Sequence, residues 1–258
     1  MAVPTDITGL RLWLKADAIT GKVDTDPIAT WPDSSGNGFD IGQATSAKQP
    51  LYRTNQLNGL PIVRFDGTDD VLSTGLVPWT NVINTTGGGI YTFMALMNVT
   101  SAAAGATATF DDACLATDAG GNTGVAHVRN ATTLTVRAYN WDGNEDFAAV
   151  TGQSFGSWLR IAQDHDNTTL RINSQAGTFQ TVASGAPSAS GTTSIGQNYA
   201  GAKFLAADVA EIIAWNKVLN GTEYTDMQDY LTAKWLTVPA ATARAGVFDT
   251  ELVPAGWF

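Results

Sequence analysis

Residues 31–72, WPDSSGNGFDIGQATSAKQPLYRTNQLNGLPIVRFDGTDDVL, limit what this chain can fold into more than any other stretch. Ile62, Val63 and Phe65 interleave with Arg64 in a run too short for a helix, and Asp66-Gly67-Thr68-Asp69 supplies turn chemistry before Val71 and Leu72. That pattern predicts a hairpin. Gly67 suits a turn that requires positive φ, a conformation that side-chain-bearing residues resist. Asp33-Ser34-Ser35-Gly36-Asn37-Gly38 plays the same part between a strand ending at Trp31 and one beginning near Phe39, and the residues between the two turns read as an irregular loop. Short strands joined by specified turns predict an all-β fold.

The rest of the chain extends this pattern. In residues 10–15 Leu10, Leu12 and Leu14 alternate with Arg11, Trp13 and Lys15, the period of a strand with one buried face. Residues 90–99 are almost continuously apolar, which predicts a central strand covered on both faces. In residues 132–141 Leu134, Val136 and Ala138 take the inward phase, and Arg137, Tyr139 and Trp141 the outward one. Residues 158–163 and 170–173 form a further pair bridged by Asp164-His165-Asp166-Asn167, where His165 is expected in a solvated turn; residues 177–183, 192–196 and 203–219 complete the strands. One helix follows. Asn220 can cap it, Glu223 can return the capping-box bond, and Tyr224, Met227, Leu231 and Trp235 make an apolar stripe expected to lie against an edge or end of the sheets. The chain therefore divides into a β domain, residues 1–238, and a tail without period, residues 239–258.

Three segments carry a family resemblance: the Trp-x-Asp-x-Ser-Gly-Asn-Gly turn from Trp31, the Asn-Gly-x-Pro-x-Val-x-Phe-Asp-Gly-x-x-Asp segment from Asn58 to Asp70, and VAEIIAWNKVL from Val209 to Leu219. Together, over residues 8–237, they resemble the laminin-G-like, concanavalin A-like jelly-roll family. The resemblance implies a two-sheet antiparallel jelly-roll sandwich, to which the residues add the C-terminal amphipathic helix and an extended tail. The family hosts lectins, adhesion modules, glycosidases and virion proteins, so the fold leaves function open.

Composition narrows the field. A net charge of −10, from 24 acidic against 14 basic residues, repels phosphate backbones and anionic lipid, so no nucleic-acid partner is expected. No apolar run approaches the roughly 18 residues that span a bilayer, and membrane insertion is not expected. Cys114 is the one cysteine, so no intramolecular disulfide forms, and the first residues lack the basic and apolar regions of a secretory signal.

Candidate chemistry is sparse. The glutamates are Glu145, Glu211, Glu223 and Glu251, and none belongs to a closely spaced carboxylate string of the kind a retaining glycosidase on this scaffold presents on one strand face. Gly152-Gln153-Ser154-Phe155-Gly156 matches a nucleophile elbow in letters only, because a strand and not a helix follows it. Asp142, Asn144 and Asp146 put three oxygen ligands on one side of a loop and make a candidate calcium site, although Phe147 stands where an EF-hand loop has glycine. Tyr139 and Trp141, flanked by Arg137 and Asn144, have the makings of a sugar platform, on which aromatic faces stack against pyranose C–H groups. In the tail, Phe248, Trp257 and Phe258 are candidates for an assembly contact.

The expectation is a non-enzymatic virion surface or structural protein, of the kind the resemblance implies for bacteriophage decoration, fibre or tail-tip components. Its partners would be itself or other virion proteins, and a cell-surface glycan. A free extracellular lectin or adhesion module is the alternative, and a glycoside hydrolase a more distant one.

Overall fold

The computed structural model describes residues 1–73, 79–82, 89–101, 113–118, 123–129, 134–187, 191–198, 201 and 203–237. The strands are, in chain order, β1 (Leu10–Lys15), β2 (Thr30–Trp31), β3 (Ile41–Gly42), β4 (Leu51–Leu57), β5 (Leu60–Asp66), β6 (Tyr91–Val99), β7 (Ala113–Asp118), β8 (Thr123–Arg129), β9 (Leu134–Trp141), β10 (Glu145–Gln153), β11 (Trp158–His165), β12 (Thr169–Ser174), β13 (Gln180–Ala183), β14 (Thr193–Ile195) and β15 (Ala206–Trp215). One sheet runs β13-β12-β11-β6-β15-β5-β4, with β1 also paired to β15; the other runs β10-β9-β8-β7-β14, and β2 pairs only with β3. Every pairing is antiparallel. The two main sheets form the all-β sandwich.

Strand β6 lies at the centre of the larger sheet and is buried on both faces, as its nearly continuous apolar sequence predicts. Tyr91 and Phe93 face the smaller sheet, where Gln163 of β11 bonds Tyr91 Oη and the Gly124 carbonyl of β8. Met94 and Leu96 lie on the outer face, opposite Ile213 and Glu211 of β15. That outer face is covered by helix α1 (Gly221–Leu231) and the wider helical turn Thr232–Leu236. Asn220 Oδ1 accepts the N–H groups of Thr222 and Glu223, and Glu223 accepts the Asn220 N–H, so the capping box closes as expected.

The helix does not sit at an edge. Its residues reach β12 through Tyr224 and Asn173, β11 through Thr232 and Arg160, and β1 and β15 through a fully buried carboxylate. Glu211 Oε1 accepts from Trp13 Nε1 (2.5 Å) and Tyr230 Oη (2.9 Å), and Oε2 from Lys234 Nζ (2.9 Å) and Trp235 Nε1 (2.6 Å). Covering the outer face hides Met94, Leu96 and Ile213, whereas an edge position would leave them in water.

Other expectations are corrected. Asp66-Gly67-Thr68-Asp69 does not make a hairpin with Val71 and Leu72. β5 pairs with β4 and β15, and Leu72 bridges to Ile195 of β14, so this turn carries the chain from the large sheet to the small one. The hairpin lies one turn earlier, at Asn58 and Gly59, whose φ values of 51° and 77° are those of the turn that suits twisted strands. The residues read as irregular loop contain β4, and the strand expected near Phe39 is β3. The turn after Trp31 does join two paired strands, and Asp33 explains why: its carboxylate accepts the N–H groups of Trp13, Ser35 and Phe39 and the Ser35 hydroxyl, tying the loop to β1.

Candidate functional site

Strand β9 sets the geometry of one end of the sandwich. Leu134, Val136 and Ala138 face the core, and Asn140 continues that phase into the rim. On the other face Arg137 and Tyr139 are buried, at 5% and 9% exposure, which corrects the expectation that they face solvent. Both pack on Phe147 of β10. The Arg137 guanidinium lies 4.3 Å from its ring centroid, and the Tyr139 ring 5.1 Å away. A planar cation and two rings gain more from mutual packing than from separate hydration, and Phe147 stands opposite Tyr139 in the ladder. Trp141 alone of the proposed platform aromatics is exposed, at 36%.

The loop after Trp141 is built by its own side chains. Asp142 Oδ1 accepts the Asn144 N–H at 3.0 Å, and Asp142 Oδ2 accepts the Gly185 N–H at 2.7 Å. The Gly185 bond, with that from Asn144, holds the Asp142 carboxyl below its ordinary range. Gly143 takes φ 115°, which a glycine allows without strain.

Asp142, Asn144 and Asp146 then line an open depression of about 450 Å³, completed by Asn167 and Thr168 from the β11–β12 turn and by Ala183, Ser184 and Gly185 after β13. The structure thus brings the three candidate cation ligands to one place, with no Lys or Arg among the lining residues. Asp166 supports the turn by accepting from Thr168 N, Thr168 Oγ1 and Thr169 N. Burial acts to raise Asp166, but the Thr168 bonds and Arg171 outweigh it and hold the carboxyl at about 2.

Behind the depression lies His165, fully buried and not in a solvated turn as expected. Its Nε2 is 3.3 Å from Ser184 O, and its Nδ1 is 3.1 Å from Gly89 O and 3.2 Å from Asn167 N. The ring stacks on Tyr91 with centroids 6.1 Å apart, so it serves as a brace between the turn and the β13 exit. One further rim group escaped sequence reasoning. Asn140 donates through Nδ2 to Ser184 Oγ (2.6 Å) and Gly185 O (2.9 Å), and its polar side chain on an otherwise apolar inward phase was the available signal.

A second acidic group sits at the β5 turn, where oxygens of Asp66, Asp69 and Asp70 lie within 4.8 Å of one another. Asp70 Oδ2 accepts the Asp66 N–H, and Asp66 Oδ1 accepts from Thr68 and Asp69, so these carboxylates are engaged in building the turn. Burial, helped by the neighbouring charges, pushes Asp70 up to about 6. Phe248, Trp257 and Phe258 lie outside the described residues.

No protein-family model matches the chain, and a sequence search of curated proteins finds no match either. Solved structures do match in shape. Domain 4 of an extracellular arabinanase from Geobacillus stearothermophilus, solved with arabinotriose, aligns at TM-score 0.52 and 13% identity over 85% of this chain and 98% of that one. The Trypanosoma rangeli sialidase, solved with sialic acid, aligns at 0.51 and 14% over 88% of this chain and 33% of its own. The receptor-binding domain of botulinum neurotoxin type G aligns at 0.57 and 9% over 86% and 51%. This chain spans about a third of the sialidase and half of the toxin domain. At identities this low the likeness shows the shared β-sandwich fold alone.

Proposed function

We propose that this chain is a non-enzymatic β-sandwich binding module that engages carbohydrate at the β9–β10 rim. Exposed Trp141, which immediately precedes Asp142 of the polar depression in the chain, carries this reading: an indole face supplies an apolar contact for a sugar ring, and Asn144, Asn167 and Thr168 of the depression are groups that can read hydroxyls. Trp141 is the one aromatic among the large hydrophobic residues exposed in the described part of the chain. The arabinotriose and sialic acid in the structurally similar proteins make sugars the first ligand class to try.

The non-enzymatic reading is supported by how the two carboxylates of β15 are used. Glu211 is saturated by its donors, and Asp208 is held bidentate by Arg64 at 2.6 and 2.8 Å, so neither is free to face a substrate. We further propose that the module is displayed on a virion surface as a decoration, fibre or tail-tip component, with self-association or attachment through Phe248, Trp257 and Phe258. The sequence resemblance and the apolar tail support this; a free extracellular lectin is the alternative.

A glycan array probed with the wild type and with Trp141→Ala tests the binding reading. Binding by the wild type and its loss in the variant are expected. No bound glycan, or equal binding by both proteins, would refute it. Light scattering of the full chain against one ending at residue 238 tests the assembly role, which fails if both have the same oligomeric state and particle attachment.

A further inference from the structure

Asn140 and Asp146 are directly opposed across the β9–β10 ladder, so their side chains lie on one face as immediate neighbours. Each carries an oxygen, Asn140 Oδ1 and Asp146 Oδ2, that is closed off from solvent and has no hydrogen-bond partner. The orientation of the Asn140 amide is determined by its surroundings. Its Nδ2 donates to Ser184 Oγ and Gly185 O, and exchanging the two amide atoms would set Oδ1 against the Gly185 carbonyl, acceptor against acceptor. Asn140 is 1% exposed, and its amide head is held against the Ser184–Gly185 wall of the depression that Asp146 also lines.

Two buried acceptors side by side, one of them a carboxylate oxygen, are costly to leave bare. The missing group must be electropositive. A water could bridge the two oxygens with its hydrogens, but it would leave the negative charge of the site in place, where Asp142 adds a second carboxylate and no cationic side chain lines the wall. We propose that the rim holds a divalent, oxygen-seeking cation of the calcium class, with Asn140 Oδ1 and Asp146 Oδ2 as its inner protein ligands. Asn144 is placed to add a ligand from the loop side, and water fills the remaining positions that calcium's six to eight oxygens require.

Asp142 has a different part from the one its spacing suggests. Its two oxygens accept the Asn144 and Gly185 N–H groups, so it positions the loop and the β13 exit around the ion. The cation would then brace the β9–β10 hairpin where Asn140 and Asp142 bond the segment after β13, stiffening the end of the sandwich on which the sugar reading relies. The inference rests on that same rim but not on a sugar being bound there.

Calcium binding is therefore measured on the full chain, freed of metal by chelator and without glycan, by calorimetry and by thermal melting. A saturable one-to-one heat and a rise in melting temperature are expected for the wild type. Asp146→Asn should weaken calcium affinity tenfold or more, Asn140→Ala should do the same, and Asp69→Asn should leave affinity unchanged. The proposal is overturned by the absence of heat and of melting shift at millimolar calcium, which would leave a bridging water as the occupant. It is equally overturned if Asp69→Asn abolishes binding and Asp146→Asn does not, which would move the ion to the β5 turn. Calcium binding without any glycan binding would refute the sugar reading alone.

Discussion

Asp142 accepts the backbone N–H of Gly185 at 2.7 Å across 43 residues of sequence, and through this one bond the β9–β10 loop is fastened to the exit of β13. The contact leaves no room for a side chain, since a Cβ on Gly185 would lie 2.6 Å from Asp142 Oδ2. A carboxylate at 142 and a glycine at 185 are thus requirements of the same joint.

Asp142→Ala removes the acceptor of two backbone N–H groups, those of Asn144 and Gly185. Since both groups sit at the rim, where water can replace the lost partner, only a modest loss of stability is expected. Amide hydrogen exchange is the direct measurement. Protection of Gly185 and Asn144 should fall while that of β6 stays, and unchanged protection at Gly185 would show that the joint does not hold the rim.

Trp141 and Tyr139 share a strand phase yet should respond differently to truncation. Tyr139→Ala empties a site packed against Phe147 and should cost about 3 kcal/mol, whereas Trp141→Ala should stay within about 0.5 kcal/mol of wild type. Urea denaturation of the two variants decides it. A large loss for Trp141→Ala would mean that the indole is packing and not a platform.

The difference between these two residues marks how far the sequence could be read. Period-two alternation located β1 and β9, and continuous hydrophobicity located β6, because burial of a face leaves its signature along a single strand. Strand β4, with Arg53, Thr54, Asn55 and Gln56, has no such signature, since its pairing with β5 and not its burial makes it a strand. What lies over an outward face is set by chain far away in sequence. Phase therefore assigned Arg137 and Tyr139 outward without showing that they would be covered. The rim was legible only in part. Asp142, Asn144 and Asp146 stand out by spacing, but Ser184, Gly185 and Asn167 join them through tertiary contacts that no local pattern encodes.

Asp70 makes a pH prediction. Its carboxyl ionises at about 6 in the folded protein against an ordinary 3.8, so between those values the native state holds a proton that the unfolded chain releases. The stability this group contributes is therefore fully present below 3.8 and is lost as pH rises through about 6. Asp70→Asn keeps an acceptor for the Asp66 N–H but cannot ionise, and its stability should be flatter across this window than that of the wild type. Parallel curves for the two proteins from urea melts at pH 4.5 and 7.5 would exclude Asp70 as the titrating group.

Glu211 supplies the last prediction, because it is the point at which helix α1 is fastened to the large sheet. The carboxylate is fully buried and meets four donors from β1, the helix and the turn beyond it: Trp13, Tyr230, Lys234 and Trp235. Lys234 is also paired with Asp17 at 3.0 Å, so it keeps one counter-charge if Glu211 is neutralised. The indoles have no such alternative. In Glu211→Gln one carboxylate oxygen becomes an amide NH2 group, which cannot accept, so the indole N–H of Trp13 or of Trp235 loses its partner inside the protein. Breaking one side of a buried ion pair costs about 3–5 kcal/mol, and the partial rescue by Asp17 places the expected loss near the lower value. The damage should be local as well as global. The near-ultraviolet signal of Trp13 and Trp235 should weaken before the β-sheet signal does, as the helix lifts from Met94, Leu96 and Ile213. A variant that loses less than about 1 kcal/mol, with its tryptophan signal intact, would show that apolar contact alone holds the helix and that the carboxylate is incidental.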